Sequence, residues 1–254
     1  MRRASPKAEF VLASQITESM RMVKEPAAIE LMRKAGKVTD AAFQAAMAML
    51  KPGVTELQVA NEIDYQLKLH GAEYTSFVTG VRFTSAQAAA SAGVGRAGQR
   101  KLAAGDSVTF DFGCVYQGYC SDFGRSAFVG QPPPEYVKVH EIVLCAQKEA
   151  MKAMKSGKIT AREANAVARG VIEAEGYGDS FTHRLGHGIG ITVHEEPFLD
   201  NVNDTVLLSN MTFTVEPSIR VAGRFANRVE DVVQVTETGG VSLYDTDHRL
   251  YVID

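Results

Sequence analysis

The residues best suited to chemistry begin with a cluster of histidines in the second half of the chain. Three of the six histidines, His183, His187 and His194, fall within residues 183–197, where interspersed glycines permit a ligand to approach the backbone closely. This combination is typical of a metal or substrate site, although a glycine-rich connector with solvated histidines is the alternative. The segment holds too few anionic groups to bind a metal alone, so further ligands must come from elsewhere in the chain.

Four acidic residues in apolar, strand-like surroundings supply the anionic groups that the histidines lack. Asp111 and Asp122 are symmetric about a predicted turn at Tyr116-Gln117, so a simple hairpin would set them opposite each other. The Cβ atoms of such a pair lie about 4.5–5.5 Å apart. Glu216 and Glu230 are symmetric about a second predicted turn. Two facing acidic pairs are costly to bury without a cation, unless the acids lie on solvent-facing edges.

The charge of these side chains indicates a site for two metals. Roughly four negative charges would be balanced by two divalent cations, and His187 adds one imidazole. An oxygen-rich set of this kind suits Mn²⁺, Co²⁺, Fe²⁺ or Zn²⁺ better than a thiolate-rich structural zinc site does. Two metals about 3.5–4 Å apart can share a hydroxide and polarise a carbonyl group. We therefore expect metal-assisted hydrolysis.

Helices are predicted on the N-terminal side of each acidic segment. Apolar residues recur at steps of three and four over residues 26–50, which predicts a long amphipathic helix. Thr55 and Thr160 each begin a capping-box pattern, in which side chains satisfy the first backbone amides of a helix. These two helices are expected to end at Gly71 and near Gly176.

Strands are predicted in residues 73–129 and 179–253, so the order helix, helix, strands occurs twice. The two capping threonines lie 105 positions apart, and the same offset takes Asp111 onto Glu216. This internal repeat predicts an α+β fold with a pseudo-twofold axis. Two helix pairs would pack on one face of a curved, mainly antiparallel sheet, and both halves would contribute ligands to a cleft.

Composition limits the classes of partner. Hydrophobic residues make up 45% of the chain, which is enough to bury a substantial core. A net charge of −3 and scattered basic residues argue against binding to nucleic acid or to an anionic membrane surface. No apolar run reaches the roughly 18–20 residues that span a bilayer, and no signal-type segment follows the start. We expect a cytoplasmic protein whose three cysteines are reduced thiols.

The predicted organisation is an N-terminal arm over residues 1–24, followed by one catalytic domain over residues 25–254. No separate N-terminal domain is expected. After the prolines at 132–134, a further apolar stripe predicts another long helix, and His140 beside that stripe is expected to face solvent.

Taken together, these residues resemble the pita-bread metallopeptidases: methionine aminopeptidases, Xaa-Pro aminopeptidases and prolidases, with the metal-free creatinases as relatives. The resemblance covers about residues 25–250, and it implies the pita-bread fold and two divalent metal ions as cofactors. The positions that match the five metal ligands of the family are Asp111, Asp122, His187 in Gly-His-Gly-Ile-Gly, Glu216 in Thr-Val-Glu-Pro, and Glu230.

The resemblance also implies a role for each ligand. Asp111 would bind one metal, and His187 and Glu216 would bind the other. Asp122 and Glu230 would bridge the two ions. Glu216 would in addition act as the general base.

Three further residues resemble the Xaa-Pro branch of the family. His183 stands four positions before His187, and Arg228 stands two before Glu230, as in Xaa-Pro aminopeptidases and prolidases. His194 matches the histidine that contacts substrate near the scissile amide. By this resemblance His183 and His194 would stabilise the tetrahedral intermediate, and His194 and Arg228 would bind substrate. The alternatives are a structural hydrogen bond for His183 and a surface cation for Arg228.

Two features depart from the family pattern. Xaa-Pro peptidases usually carry a separate N-terminal domain, which is not expected in the given sequence, whereas methionine aminopeptidases have a length similar to that of this sequence. The family also has a histidine just before the first ligand strand, and residues 85–100 contain none. That histidine helps to handle the proton of the leaving amine, so we expect slow turnover of ordinary peptides or a different substrate.

The leading hypothesis is a dinuclear metal-dependent peptidase that hydrolyses an amide bond adjacent to proline through a metal-bridging hydroxide. A methionine aminopeptidase is favoured by length but opposed by His183 and Arg228. A creatinase-like hydrolase of a non-peptide C–N bond and a catalytically weak, peptide-binding relative are further alternatives. The partner is expected to be a peptide or a small amide, and a homodimer remains open.

Overall fold

A computed structural model describes residues 7–9, 11–86 and 96–254 of the chain, and the described residues form five α-helices. The first lies within the predicted arm, where the sequence pattern had indicated no helix. The helices are α1 Ser14–Met22, α2 Pro26–Met49, α3 Glu56–Leu69, α4 Pro134–Ala153 and α5 Ala161–Ala174.

Both predicted capping boxes are present. The Thr55 hydroxyl accepts from the Gln58 amide at 3.1 Å, and the Gln58 side chain accepts from the Thr55 amide at 2.9 Å. Thr160 and Glu163 repeat this exchange at 3.2 and 2.8 Å. Each box begins a helix of 14 residues, so α3 and α5 have the start and length that the sequence predicts.

The strands are β1 Tyr74–Thr75, β2 Gly80–Thr84, β3 Ser107–Phe112, β4 Cys114–Tyr116, β5 Tyr119–Cys120, β6 Phe123–Val129, β7 Gly186–Gly188, β8 Glu195–Leu199, β9 Thr212–Val215, β10 Ser218–Val221, β11 Phe225–Arg228, β12 Asp231–Val235, β13 Gly240–Ser242 and β14 Tyr251–Ile253. In the described part of the chain these strands form two main sheets and two small ones. One main sheet has the order β14-β6-β3-β2, and the other has the order β13-β12-β9-β7-β8. Neighbouring strands in these sheets are antiparallel except β14 with β6.

Each helix pair packs against its own part of the sheets. The stripe of α2 and α3 forms one buried apolar cluster with β2, β3 and β6, in which the Phe43 ring lies 5.4 Å from Phe110 and 5.2 Å from Phe123. The stripe of α4 and α5 forms a second cluster, in which the Tyr136 ring lies 5.3 Å from Phe225. The helices therefore bury their apolar faces and support the strands that carry the acidic residues.

The first acidic hairpin has a register that differs from the prediction. Its turn residues are Gln117 and Gly118, both with positive φ as in a two-residue hairpin loop, so the centre falls one residue later than expected. Asp111 therefore faces Gly124, and Asp122 lies just outside the strands. The prediction that the two aspartates are cross-strand partners is wrong.

The prediction for His140 is also wrong. This side chain is buried on α4, where its Nε2 donates to the His248 carbonyl oxygen at 3.0 Å. An imidazole can be buried among apolar residues when a carbonyl oxygen satisfies its N–H group.

Among the described residues, no helix combines the length and apolar character needed to cross a bilayer.

Candidate metal centre

Strand alternation presents Asp111 at the cleft between the two main sheets. On β3, Val108, Phe110 and Phe112 are buried in the core, so Asp111 points to the opposite face. Its partner across the sheet is Gly124. A Cβ atom at that position would lie 2.7 Å from Glu230 Oε2, so the glycine leaves the space that the glutamate occupies.

The second acidic pair has the register that the sequence predicts. On one side of the glutamates Val215 pairs with Asp231, and on the other side Ser218 pairs with Arg228. At the glutamates themselves the two strands separate. The Glu216 amide donates to the Leu185 carbonyl oxygen, and the Glu230 amide donates to the Gly124 carbonyl oxygen, each at 2.9 Å.

This separation brings Glu230 to the first acidic segment. One oxygen from each of Asp111, Asp122 and Glu230 lies within 4.8 Å of the others. Tyr244 fixes the backbone of Asp122, because its hydroxyl accepts from the Asp122 amide at 2.9 Å and donates to the carbonyl oxygen at 2.6 Å. Tyr244 was not identified from the sequence.

His187 faces the same carboxylates from β7. Its Nδ1 donates to the Gly188 carbonyl oxygen at 2.9 Å, so Nε2 points to Asp122 Oδ2 at 3.4 Å and to Glu216 Oε1 at 3.6 Å. Burial opposes protonation of His187, but the hydrogen bond and charge of Asp122 outweigh it and raise the pKa of His187. A histidine whose Nδ1 is fixed by a carbonyl oxygen presents Nε2 as a metal ligand.

Thr214 connects His187 with Glu216, and the sequence reasoning missed it. Its hydroxyl accepts from the His187 amide at 3.0 Å and donates to Glu216 Oε1 at 3.1 Å. A Cβ atom at Gly186 would overlap the Thr214 carbonyl oxygen, so this glycine is needed for the close approach of the two strands.

Arg228 lies among the carboxylates. Its guanidinium contacts Asp111 and Glu216, and its Nε lies 3.2 Å from Glu230 Oε2. Burial alone would lower the pKa of Arg228, but the charges of Asp111, Glu230 and Glu216 raise it above its usual range. Arg228, whose side chain is 20% exposed, is therefore part of this site and not a surface cation.

The carboxylates still have more negative charge than one guanidinium can balance. Burial, opposed by the His187 hydrogen bond and reinforced by Asp111, raises the pKa of Asp122 to about 6. Burial also raises the pKa of Glu230 well above its usual range, although the charge of Arg228 opposes it. Asp122 Oδ1 and Glu230 Oε2 are buried without a hydrogen-bond partner. Buried oxygen atoms of this kind fit a hard divalent cation, which would supply the missing partner.

The other two histidines border an open cavity of about 500 Å³ above the carboxylates. The His194 ring lies 4.2 Å from that of His187 and is exposed to the cavity. Burial and the neighbouring charge of His187 lower the pKa of His194. His183 has both nitrogens engaged, with Nδ1 at 2.7 Å from the Arg184 carbonyl oxygen and Nε2 at 2.6 Å from Ser218 Oγ.

This geometry defines the neutral tautomer of His183. Nδ1 must donate to the carbonyl oxygen, so Nε2 carries no proton and accepts from the Ser218 hydroxyl. Burial lowers the pKa of His183, which favours this neutral form. Ser218 was not identified from the sequence, since a serine on a strand has no distinguishing spacing.

The N-terminal segment also reaches this cleft. Glu195, which follows His194, is buried in an ion pair with Lys24 at 3.0 Å and with Arg21 at 2.8 Å. Burial opposes ionisation of Glu195, but the charge of Lys24 and hydrogen bonds to backbone amides outweigh it and lower its pKa. The loop that carries His194 is therefore anchored to α1 and the residues after it, a contact that no local pattern could have predicted.

With this geometry in hand, comparison with known proteins decides the family. Residues 30–237 match the model of metallopeptidase family M24, which is more than half of the chain. The chain belongs to metallopeptidase family M24. It is 37% identical over 242 residues to the Xaa-Pro dipeptidase of Pyrococcus furiosus, a match that covers 95% of this chain and 68% of that protein.

Solved structures of similar proteins have the same mixed α+β fold. The X-Pro aminopeptidase from Thermotoga maritima MSB8 is 35% identical with a TM-score of 0.91, covering 99% of this chain and 70% of that one. The Xaa-Pro dipeptidase from Bacillus anthracis is 37% identical to this M24 chain, with a TM-score of 0.91. The match covers 97% of this chain and 68% of the Bacillus anthracis chain. These similarities confirm the predicted α+β class and the assignment to a metallopeptidase family.

All eight predicted site residues of this M24 chain lie around one cleft. Asp111, Asp122 and Glu230 form the oxygen cluster, while His187 and Glu216 border it. His183, His194 and Arg228 line the cavity above. The segment in which the expected histidine is missing falls largely on residues 87–95, which lie outside the described residues.

Proposed function

We propose that this M24 metallopeptidase is a dinuclear metal-dependent peptidase that hydrolyses an amide bond adjacent to proline, as an Xaa-Pro aminopeptidase or dipeptidase. The observation that carries the proposal is the excess of carboxylates around Arg228, with two buried oxygen atoms that accept no hydrogen bond, although Arg228 Nε lies 3.2 Å from one of them. The names of similar proteins, Xaa-Pro dipeptidase and X-Pro aminopeptidase, support the choice of bond.

Five residues would hold two divalent cations, Mn²⁺, Co²⁺, Zn²⁺ or Fe²⁺: Asp111, Asp122, His187, Glu216 and Glu230. Asp122 and Glu230 are proposed as shared ligands, since both are buried and each has an oxygen that accepts no hydrogen bond. When bound, such cations act as Lewis acids and lower the pKa of coordinated water to about 7. The pseudo-twofold arrangement, in which each half of one domain supplies one acidic pair, is part of the same proposal.

Glu216 is proposed as the group that takes up the proton of the attacking water. Burial alone would raise the pKa of Glu216, but Arg228 lowers it overall, so the carboxylate is ionised and able to accept. The Thr214 hydroxyl donates to Oε1 and leaves Oε2 for Arg228 or for substrate. This fixes the orientation of the base without using both of its oxygens.

The two histidines would stabilise the negative charge that develops on the substrate. His194 is exposed to the cavity, so its ring can reach a bound amide. In the neutral form His183 Nε2 accepts from the Ser218 hydroxyl, so His183 would donate to the substrate only after Nε2 takes up a proton and exchanges Ser218 for the substrate oxygen. Arg228, always charged, would bind a carbonyl or carboxylate of the substrate.

The domain organisation is proposed as predicted, with an arm over residues 1–24 and one catalytic domain over residues 25–254. The ion pairs of Arg21 and Lys24 with Glu195 support a role for the end of the arm in the site. Cytoplasmic location, a homodimer and the identity of the metal stay predictions.

Metal analysis combined with a substrate screen tests the proposed function. After loading with Mn²⁺ or Co²⁺ and removal of free ion, the full chain should hold about two metals. It should cleave Xaa-Pro peptides faster than Met-Xaa peptides of equal length. An exposed acid, Asp204, gives a matched control, because Asp204→Asn removes one carboxylate far from the cluster.

Each possible result distinguishes the proposed function from one alternative. A chain that binds no metal tightly would rule out the metallopeptidase mechanism for this cluster. Equal or faster cleavage of Met-Xaa peptides would assign the chain to the methionine aminopeptidases instead. Two bound metals without peptide cleavage, but with hydrolysis of a small non-peptide amide, would favour the creatinase-like reaction.

A further inference from the structure

Helix α5 carries two polar side chains, Asn165 and Arg169, that the proposed hydrolytic mechanism does not use. They stand four positions apart, so both lie on the same face of the helix. Each follows directly after a buried residue of the apolar stripe, Ala164 or Ala168, that packs α5 against the core. The two polar side chains therefore lie at the edge of the core, and their partners lie in the segment that leads to the metal centre.

Both side chains hold the backbone around His183. Arg169 Nη1 donates to the Phe181 carbonyl oxygen at 3.0 Å, and Nη2 donates to the His183 carbonyl oxygen at 2.9 Å. Asn165 Oδ1 accepts from the Leu185 amide at 2.9 Å. The backbone is thus fixed at His183 itself and two residues away on either side.

Arg169 also contacts the packing of the His183 ring. Its Cζ lies 4.5 Å from the centre of the Phe181 ring, which is buried. The Phe181 and His183 rings are nearly perpendicular, at 84°, with their centres 5.0 Å apart. The opposite constraint on the imidazole comes from Ser218, whose hydroxyl donates to Nε2. One guanidinium therefore acts on both the backbone and the ring of His183.

Stability alone does not explain an arginine at position 169. In the described part of the chain its guanidinium donates to two carbonyl oxygens rather than to a carboxylate, and its Nε is buried without a hydrogen-bond partner. A buried donor without an acceptor lowers the stability of a fold. Local costs of this kind are expected at sites where a residue serves function.

We infer that Arg169 is a positioning residue for the reaction, which holds His183 in the place and orientation from which that imidazole reaches the substrate. The inference rests on the proposed function for the role of His183, but not for the contacts that hold it. Arg169 does not line the cavity above the carboxylates. Its loss should therefore change turnover and leave metal binding and substrate binding unchanged.

The state of His183 is measured first in the metal-free full chain, without any reaction. Nitrogen NMR of isotopically labelled histidine, at a pH above the pKa of free imidazole, should show His183 as the neutral tautomer with its proton on Nδ1. The His183→Gln variant identifies these signals. Arg169→Met should move both nitrogen signals toward the averaged values of two exchanging tautomers, because neither the backbone nor the ring is then held.

A matched control and a conservative variant accompany this measurement. Arg162→Met makes the same substitution on the same helix, at an exposed residue that pairs with Asp204, and should leave the His183 signals unchanged. Burial lowers the pKa of His183, and the charges of Arg228 and Arg169 act in the same direction against that of Glu216. Arg169→Lys keeps this charge without the planar fork, so it separates geometry from charge.

Kinetics with bound Mn²⁺ then test the effect on the reaction. On an Xaa-Pro peptide, Arg169→Met should lower kcat about tenfold, because misplacing a group by about 1 Å costs up to about 100-fold in rate. The KM and the metal content should not change. Arg169→Lys should recover part of the rate, and it takes the place of Arg169→Met in every comparison if the methionine variant does not fold. Arg162→Met should have the wild-type rate.

A double-mutant cycle separates positioning of His183 from a general loosening of the structure. Arg169→Met should lower kcat in the wild-type background and have no further effect once His183→Gln is present. Losses that add in the double variant, or His183 signals that Arg169→Met leaves unchanged, would overturn the inference. His183 signals that depend on Arg169, in a chain that hydrolyses no Xaa-Pro peptide, would support the positioning and reject the proposed function alone.

Discussion

Two arginines in this M24 metallopeptidase lie beside carboxylates, and the balance of charge around them differs. The Arg125 side chain is 1% exposed, and the Arg228 side chain is 20% exposed. Around Arg125, every donor meets an acceptor. Around Arg228, one guanidinium faces the four carboxylates of Asp111, Asp122, Glu216 and Glu230. The first arrangement is complete as it stands, and the second needs additional positive charge.

The Arg125 cluster is a balanced network. Nη2 donates to Asp231 Oδ1 at 2.7 Å, and the other four N–H groups donate to backbone carbonyl oxygens at 2.7–3.1 Å. His248 Nε2 donates to Asp231 Oδ2 at 2.6 Å. Burial would raise the pKa of Asp231, but Arg125 and His248 lower it to about 2. One of the carbonyls belongs to Glu230, so this network also supports the strand that carries a candidate metal ligand.

The Arg228 cluster lacks that balance. Asp122 and Glu230 have raised pKa values, and each has a buried oxygen that accepts no hydrogen bond. The Arg228 and Asp111 side chains are 20% and 44% exposed, against 1% and 0% for Arg125 and Asp231, so the two clusters differ in exposure as well as in the ratio of anions to donors. A surplus of buried carboxylates therefore distinguishes a cation site from a structural ion pair in the same fold.

The largest effect is expected from breaking the balanced cluster. Asp231→Ala leaves Arg125 buried without an anion, so the free energy of unfolding of the metal-free chain should fall by about 3–5 kcal/mol. Urea denaturation measures this change. A loss below 1 kcal/mol, roughly the worth of a surface ion pair, would show that the network does not stabilise the fold as described.

Asp122→Asn should have the opposite effect on stability and a large effect on activity. It removes one uncompensated buried charge, so the metal-free chain should unfold at a higher urea concentration than the wild type. With metal, activity on an Xaa-Pro peptide should fall more than about 100-fold, beyond the usual cost of losing a residue that only orients a ligand. Retained activity with two bound metals would contradict the role of Asp122, and Asp204→Asn should change neither quantity.

Lys24→Met tests a third ion pair, between the N-terminal arm and Glu195. Losing the contact should let the His194 loop shift, and we expect kcat to fall about tenfold, since a displacement of about 1 Å can cost up to 100-fold. Metal content should stay the same, and Lys24→Arg should restore most of the rate. Lys152→Met, at an exposed position on α4, serves as the control. A change in KM alone would argue against a positioning role.

The smallest effect concerns the pH dependence of stability through His140. Burial lowers the pKa of His140 below its usual 6.5, so the folded state disfavours the charged form. The contribution of neutral His140 to the free energy of unfolding is therefore complete above pH 6.5. It is lost as the pH falls below that value, by at most about 1.4 kcal/mol per pH unit. Urea denaturation at pH 7.5, 6.5 and 5.5 should show that the free energy of unfolding falls less with decreasing pH for His140→Gln than for the wild type. Parallel curves for both proteins would exclude His140 as a source of acid sensitivity.

Local sequence patterns determined the four helices that follow the N-terminal arm, but not α1, and they determined the identity of the chemical groups. Capping boxes at Thr55 and Thr160 predicted the starts of α3 and α5, because the side chains that satisfy helix amides lie within four residues of one another. The register of the second acidic pair also followed from symmetry about its turn. In the first pair the same reasoning was wrong by one residue at the turn, which displaced the partner of Asp111 by two positions, to Gly124.

Only the tertiary structure decided which charges are balanced. The sequence singled out Arg228 by its position two before Glu230, but it did not show that Arg125 meets five acceptors while Arg228 meets an excess of anions. The contacts responsible join residues about a hundred positions apart, such as Arg125 with Asp231 and Arg228 with Asp111. Electrostatic interactions depend on distance and burial in space, so spacing along the chain could name the ligands but could not show how their charges are compensated.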